Sequence, residues 1–179
     1  METSTTVTAD DIDLTPVFGQ LDETTTSTVL ETLRRGDSTL QAAAKELELA
    51  ADPLTLSTYP SGQAELTAAA RGEDGKLTFE AAVRPRNFFS EHNPWRPGQP
   101  PRPMQTDAWD VEGAVNVMVR RLVGQHKYTI QETPEELMAV RYETAPDAAA
   151  ALASCCERLA ELMRSRDATV AAWADPDPS

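Results

Sequence analysis

From Trp109 to Val119 the chain alternates: Trp109, Val111, Val115, Val117 and Val119 are apolar, Gly113 is the one gap, and Asp110, Glu112 and Asn116 stand between them, with Arg120 continuing the polar set. A period of two held over that length predicts a strand with one face on a core and the other toward water. Shorter alternating runs precede it. Leu54, Leu56 and Tyr59 lead into Pro60-Ser61-Gly62, a tight turn, and Ala64, Leu66, Ala68 and Ala70 carry the return strand. Asp74-Gly75 is a two-residue turn signal, and Leu77, Phe79, Ala81 and Val83 continue the alternation beyond it. After the anchor strand, residues 124–127 read as a turn, 128–132 as a fifth strand, Pro134 as a break and 137–143 as a sixth strand.

At both ends the period changes to that of a helix. Val29, Leu30 and Leu33 are spaced for a helix over 26–35, Gly36 reads as its stop, and Asp37 or Ser38 reads as the cap of a second helix carrying Leu40, Ala43, Ala44 and Leu47 up to Pro53. Near the other end Thr144 is placed to cap a helix with Pro146 in its first turn and Asp147 three residues on. Leu152, Cys155, Cys156, Leu159 and Met163 form its apolar stripe, and Glu157, Arg158, Glu161 and Arg164 its wet face. Helices, then strands, then a helix is the order of an α+β domain. The expected architecture is an N-terminal helical hairpin, a roughly six-stranded, mainly antiparallel sheet with a long Pro-rich loop between strands 3 and 4, and a C-terminal amphipathic helix packed on the sheet. The outline is loosely similar to small secretion-chaperone-like and immunity-protein-like folds, a likeness of element order alone. Residues 1–20 read as a mobile acidic tail in which only Leu14, Val17 and Phe18 could dock, 21–166 as a single domain with its long loop at 84–108, and 167–179 as a C-terminal tail.

Charge narrows the function classes. The net charge is −13, and the first 52 residues hold 11 acidic against 3 basic side chains. Neither nucleic acid nor an anionic membrane is expected as a partner, since both are gripped through a positive footprint. Residues 42–49 are spaced like the second helix of a helix-turn-helix. Glu48 nevertheless stands where the turn glycine belongs, and Pro53 where a recognition helix would begin, which argues against a DNA-binding regulator using helices 26–50. No apolar run approaches about 18 residues and no signal-peptide pattern opens the chain, so a cytoplasmic protein is expected. Adjacent Cys155 and Cys156 cannot frame a fold with long-range disulfides, which suits a reducing compartment.

Catalytic chemistry finds little to build on. His92 falls in the loop and His126 in a turn, the paired carboxylates lie in tails and turns, and no metal-ligand spacing or glycine-rich phosphate loop occurs. No catalytic residue, metal or cofactor is expected. The segment from Arg84 to Met104 stands apart: it holds six of the 13 prolines, four arginines against Glu91, and three aromatic residues. Within it residues 97–102 match the PxxPxR spacing of a polyproline ligand. Phe88, Phe89, Trp95, Arg86, Arg96 and Arg102 are therefore the candidate partner-binding residues of a non-enzymatic interaction or accessory protein, chaperone-like or immunity-like, docking another polypeptide or a second copy of itself. The alternative is a small-ligand binder or enzyme using a cavity between the sheet and its helices.

Overall fold

The computed structural model describes residues 5–8, 12–71, 77–86, 95–102, 106–123, 126–132 and 140–165. It is an α+β fold, an antiparallel sheet with helices at both ends. In chain order the elements are β1 (Thr5–Thr8), α1 (Thr15–Phe18), α2 (Glu23–Glu46), β2 (Ala50–Thr58), β3 (Ala64–Arg71), β4 (Leu77–Pro85), β5 (Trp109–Val123), β6 (His126–Glu132), β7 (Val140–Tyr142) and α3 (Ala145–Ser165). The strands run β1-β2-β3-β4-β5-β6 across one sheet, and β7 pairs with β5. Among the described residues the sheet has seven strands, one of them Thr5–Thr8, which pairs with Thr55–Thr58 from a stretch expected as a tail. No helix among the described residues is long and apolar enough to cross a membrane.

Directly opposed residues of an antiparallel pair share a face. Leu66 faces Val83, which faces Val111, and Leu56 faces Leu66, so the apolar alternation of four strands falls on one side of the sheet. Leu54, Leu56, Leu66, Phe79, Val83, Trp109 and Val111 are buried there against Val29, Leu33 and Leu40 of α2 and Leu152, Leu159 and Met163 of α3. The side chains of Val115, Val117 and Val119 lie outside the described residues.

The N-terminal helical hairpin is instead one unbroken helix. Asp22 caps α2, its Oδ1 accepting the Thr25 amide at 2.7 Å. Gly36 lies in its interior, where a Cβ would meet the Ala153 Cα of α3 at 2.6 Å: this glycine lets two helices touch and does not end one. Asp37 is likewise no cap. It is 5 % exposed, its Oδ1 accepts the Leu54 amide of β2 at 3.0 Å, and its Oδ2 accepts from Gln41 Nε2 at 2.6 Å. Both residue types look like breakers to local rules, and both are held in the helix by contacts 17 or more positions away in sequence. With no turn at 36, the two-helix geometry of a DNA-reading motif is absent from this stretch.

The stretch expected as a tail is partly built into the core. Leu14, Val17 and Phe18 are buried, and the Trp109 indole Nε1 donates to the Val17 carbonyl at 2.7 Å, while the Phe18 and Trp109 rings lie 5.6 Å apart. A buried indole N–H requires an acceptor, and the last carbonyls of a one-turn helix lack intrahelical donors, so each satisfies the other. The C-terminal helix follows its pattern: the Thr144 hydroxyl accepts the Asp147 amide at 3.2 Å, and Leu152, Cys156, Leu159 and Met163 are buried, with Cys155 half-buried.

Two predictions follow from α2. Gly36→Ala gains about 1 kcal/mol of helix propensity but forces α2 and α3 apart, an overpacking cost of about 1–3 kcal/mol, so a lowered melting temperature is expected by calorimetry. An unchanged or raised value would remove the close contact from the account. Burial holds the Asp37 carboxyl above the ordinary aspartate range, only partly opposed by its hydrogen bonds from Gln41 and Leu54. A raised folded-state pKa means that the ionised form is disfavoured by folding, a penalty fully present above that pKa and relieved as pH falls through it. Asp37→Asn, which keeps an acceptor for Leu54, is expected to be more stable than wild type at about pH 7, with the difference closing toward about pH 4, read from urea midpoints.

Candidate interaction site

The described part of the segment between β4 and β5 is a small, fastened turn. Gln99 N donates to Arg96 O at 3.1 Å, with Pro97 and Gly98 between them and Gly98 at φ 94. Proline followed by a positive-φ glycine is the requirement of a type II turn. The Gln99 side chain closes the turn from the other side, its Oε1 accepting the Arg96 amide at 2.9 Å, and the Trp95 indole donates to Pro100 O at 3.0 Å. The positive φ interrupts any polyproline helix, which needs φ near about −75°, so residues 97–102 do not present the PxxPxR conformation.

A second contact seats this turn on the body. Arg102 N donates to Ser61 O at 2.9 Å, in the tight turn that joins β2 to β3. That turn is the one expected at 60–62: Gly62 N donates to Tyr59 O at 2.9 Å, and Gly62 has φ 92. A Cβ on Gly62 would lie 2.2 Å from Arg102 O, so only glycine permits the loop backbone to come this near. At the base, Arg86 N donates to Ala108 O at 2.9 Å and the Arg86 guanidinium reaches Asp107 at 3.2 Å.

Of the six candidate residues, Trp95 is half-buried and Arg96 exposed on the turn, Arg102 is half-buried against the hairpin, and Arg86 is half-buried at the loop base with Asp107. Phe88 and Phe89 lie outside the described residues. Arg84, counted with the loop's positive charge, belongs to β4. Its Nε and Nη1 reach Glu65 and Glu112, each at 2.6 Å, and Tyr59 donates to Glu65 at 2.8 Å. Burial works against the Arg84 charge, but the two carboxylates outweigh it and raise its pKa above the ordinary value. Glu80 on the same sheet face is raised, first by burial and then by Glu65. Alternation marks 65 and 112 as polar-face positions; only strand register places Arg84 between them.

Reactive groups are few. Among the described residues no three His, Cys, Asp or Glu side chains are grouped to hold a metal ion. Burial pushes the Cys155 thiol up to about 11 and the Cys156 thiol still higher, which leaves both protonated, poor nucleophiles at neutral pH. Among the described residues an open groove of about 510 Å³ is lined by Tyr142 of β7 and by the stretch of α3 from Asp147 to Arg158. Compared with protein-family models, with curated proteins and with solved structures, the chain gives no match.

Gly62→Ala is expected to unseat the loop while leaving the core folded. Hydrogen exchange at the Arg102 amide should accelerate about tenfold or more, corresponding to at least about 1.4 kcal/mol of lost docking, with amides of α2 and α3 unchanged. Unaltered exchange at Arg102 would show that the hairpin does not hold the loop.

Proposed function

We propose that the protein is a non-enzymatic accessory protein that docks another polypeptide through the turn at Trp95 and Arg96. The carrying observation is that this turn is fixed before any partner arrives, yet leaves its aromatic ring partly exposed and its arginine in water. Binding costs most where loops and side chains must be ordered on contact, and a prefastened turn has met much of that cost in folding. Tryptophan and arginine are also the residue types that most often carry interface energy. An exposed arginine beside an indole suits an acidic surface with an adjoining apolar recess, on another protein or on a second copy of this acidic chain.

The chemistry elsewhere supports binding over turnover. Both thiols are held protonated, and the groove described on α3 is open, where an enzyme needs convergent polar groups in a water-excluding recess. The test is the double substitution Trp95→Ala with Arg96→Ala in the full chain, measured by melting and by affinity capture from cells of the source. Association is expected to weaken about 30-fold or more, the loss of about 2 kcal/mol typical of an interface anchor, at unchanged melting temperature. Undiminished capture, or a large fall in melting temperature with association intact, would reject the turn as the docking element.

A further inference from the structure

β5 runs on past the strand beside it. Its pairing with β4 ends at Leu77 and Val117, and from there to Val123 it is paired with β6 alone among the described strands. Residues 72–76, which join β3 to β4 at that end, and the side chains of this two-stranded ribbon lie outside the described residues. At about 3.3 Å per residue, the stretch from Val117 to Val123 carries the ribbon up to about 20 Å past the end of β4.

Within the ribbon the register shifts. Val119 pairs with Tyr128 and Val123 with His126, so Arg120, Arg121 and Leu122 on one strand stand opposite Lys127 alone on the other. The extra residues of a bulge have no partner across the ladder, and they bend and twist the strand that carries them. Three of the four residues inside this bulge are cations. No carboxylate accompanies them in sequence: residues 113–131 contain no Asp or Glu, the longest such stretch of the chain, and carry +3 in a protein of net charge −13. Like charges set opposite one another across a strand pair are destabilising, so this arrangement costs stability unless an anion answers it.

Length decides the kind of anion. A nucleic-acid duplex carries a charge about every 1.7 Å, and a firm grip uses about six to ten phosphates, so three cations hold it poorly. A duplex running past the ribbon would also lie along the acidic body. A short peptide segment ends where the cations end. The Debye length at physiological salt is about 8 Å, so carboxylates seated about 10–20 Å past the end of β4 are largely screened from that body.

We infer that the bulged β5–β6 ribbon is a docking arm for a short acidic segment of a partner protein, about four to six residues with at least three carboxylates, which meet the charges of Arg120, Arg121 and Lys127. The ribbon leaves the sheet at the end opposite the β2–β3 turn, shares no residue with the Trp95 turn and does not depend on it.

The experiment uses the full chain with a labelled ten-residue peptide alternating glutamate with serine, and a labelled DNA duplex, read by fluorescence anisotropy. The peptide is expected to bind more tightly than the duplex, and more weakly as salt rises. Arg120→Glu with Arg121→Glu should weaken peptide binding about tenfold or more, and Arg120→Lys with Arg121→Lys should retain it. Arg34→Glu with Arg35→Glu, an equal change of charge at exposed positions of α2, and Trp95→Ala should each leave it within about twofold. Melting curves accompany every variant, and should the paired glutamates lower the melting temperature, Lys127→Ser decides, with an expected loss of about threefold. Absent binding, or an equal loss in the Arg34 and Arg35 variant, would overturn the assignment. So would tighter binding of the duplex, or a wild-type dimer that the paired glutamates dissociate, since the ribbon would then belong to a nucleic acid or to a second copy.

Discussion

The approach of α2 to α3 at Gly36 and Ala153 governs the helix layer. A methyl group at position 36 would fall 2.6 Å from the Ala153 Cα, so the two helices meet backbone to backbone at this point. The next residue, Asp37, ties the same turn of α2 to β2 through the Leu54 amide. Two consecutive residues thus fix α2 against its neighbouring helix and against the sheet. The second tie carries an opposing term, because burial disfavours the charge that makes the carboxylate a strong acceptor.

The two faces of the sheet are built on different physics. On the covered face, alanines at 64, 68, 70 and 81 sit among larger apolar residues, and all are buried. Small side chains there bring the helices down onto the strands, and Leu54, Leu66, Phe79 and Val83 fill the space between. On the other face β3, β4 and β5 are linked by Glu65, Arg84 and Glu112 in a row. A one-residue slip of any of these strands would bury that row and expose the apolar set, so both faces specify the same register.

The proposed docking function rests on how one end of this frame is finished. At the end bearing the β2–β3 turn, Gly62 lets the Arg102 backbone approach the Ser61 carbonyl, beside the turn that carries Trp95 and Arg96. At β7, Val140 is half exposed, and Tyr142 borders an open groove with α3. A docking surface of the kind proposed needs no unusual residues, only ordinary ones held in place, so no motif would mark it.

Alternation and helical spacing by themselves determined the α+β class with its antiparallel sheet, the β2–β3 turn and the cap and stripe of α3, because each depends on residues a few positions apart. They also located Trp109 and Val111 in the core, and they separated Leu14, Val17 and Phe18 from the polar residues around them. Tertiary structure decided everything that rests on distant partners. Gly36 and Asp37 have the local chemistry of a helix stop and a helix cap, and α2 runs through both because Ala153 and Leu54 reward the unbroken path. Pro97 to Arg102 has the spacing of a polyproline ligand, and becomes a turn because Gly98 adopts a positive φ and the Ser61 carbonyl holds Arg102. Arg84 read as part of a basic loop until register set it between Glu65 and Glu112. Local propensities differ by about 1 kcal/mol or less for most residues, whereas a buried contact or an unsatisfied buried amide is worth about 1–3 kcal/mol, so where the two disagree the distant partner prevails.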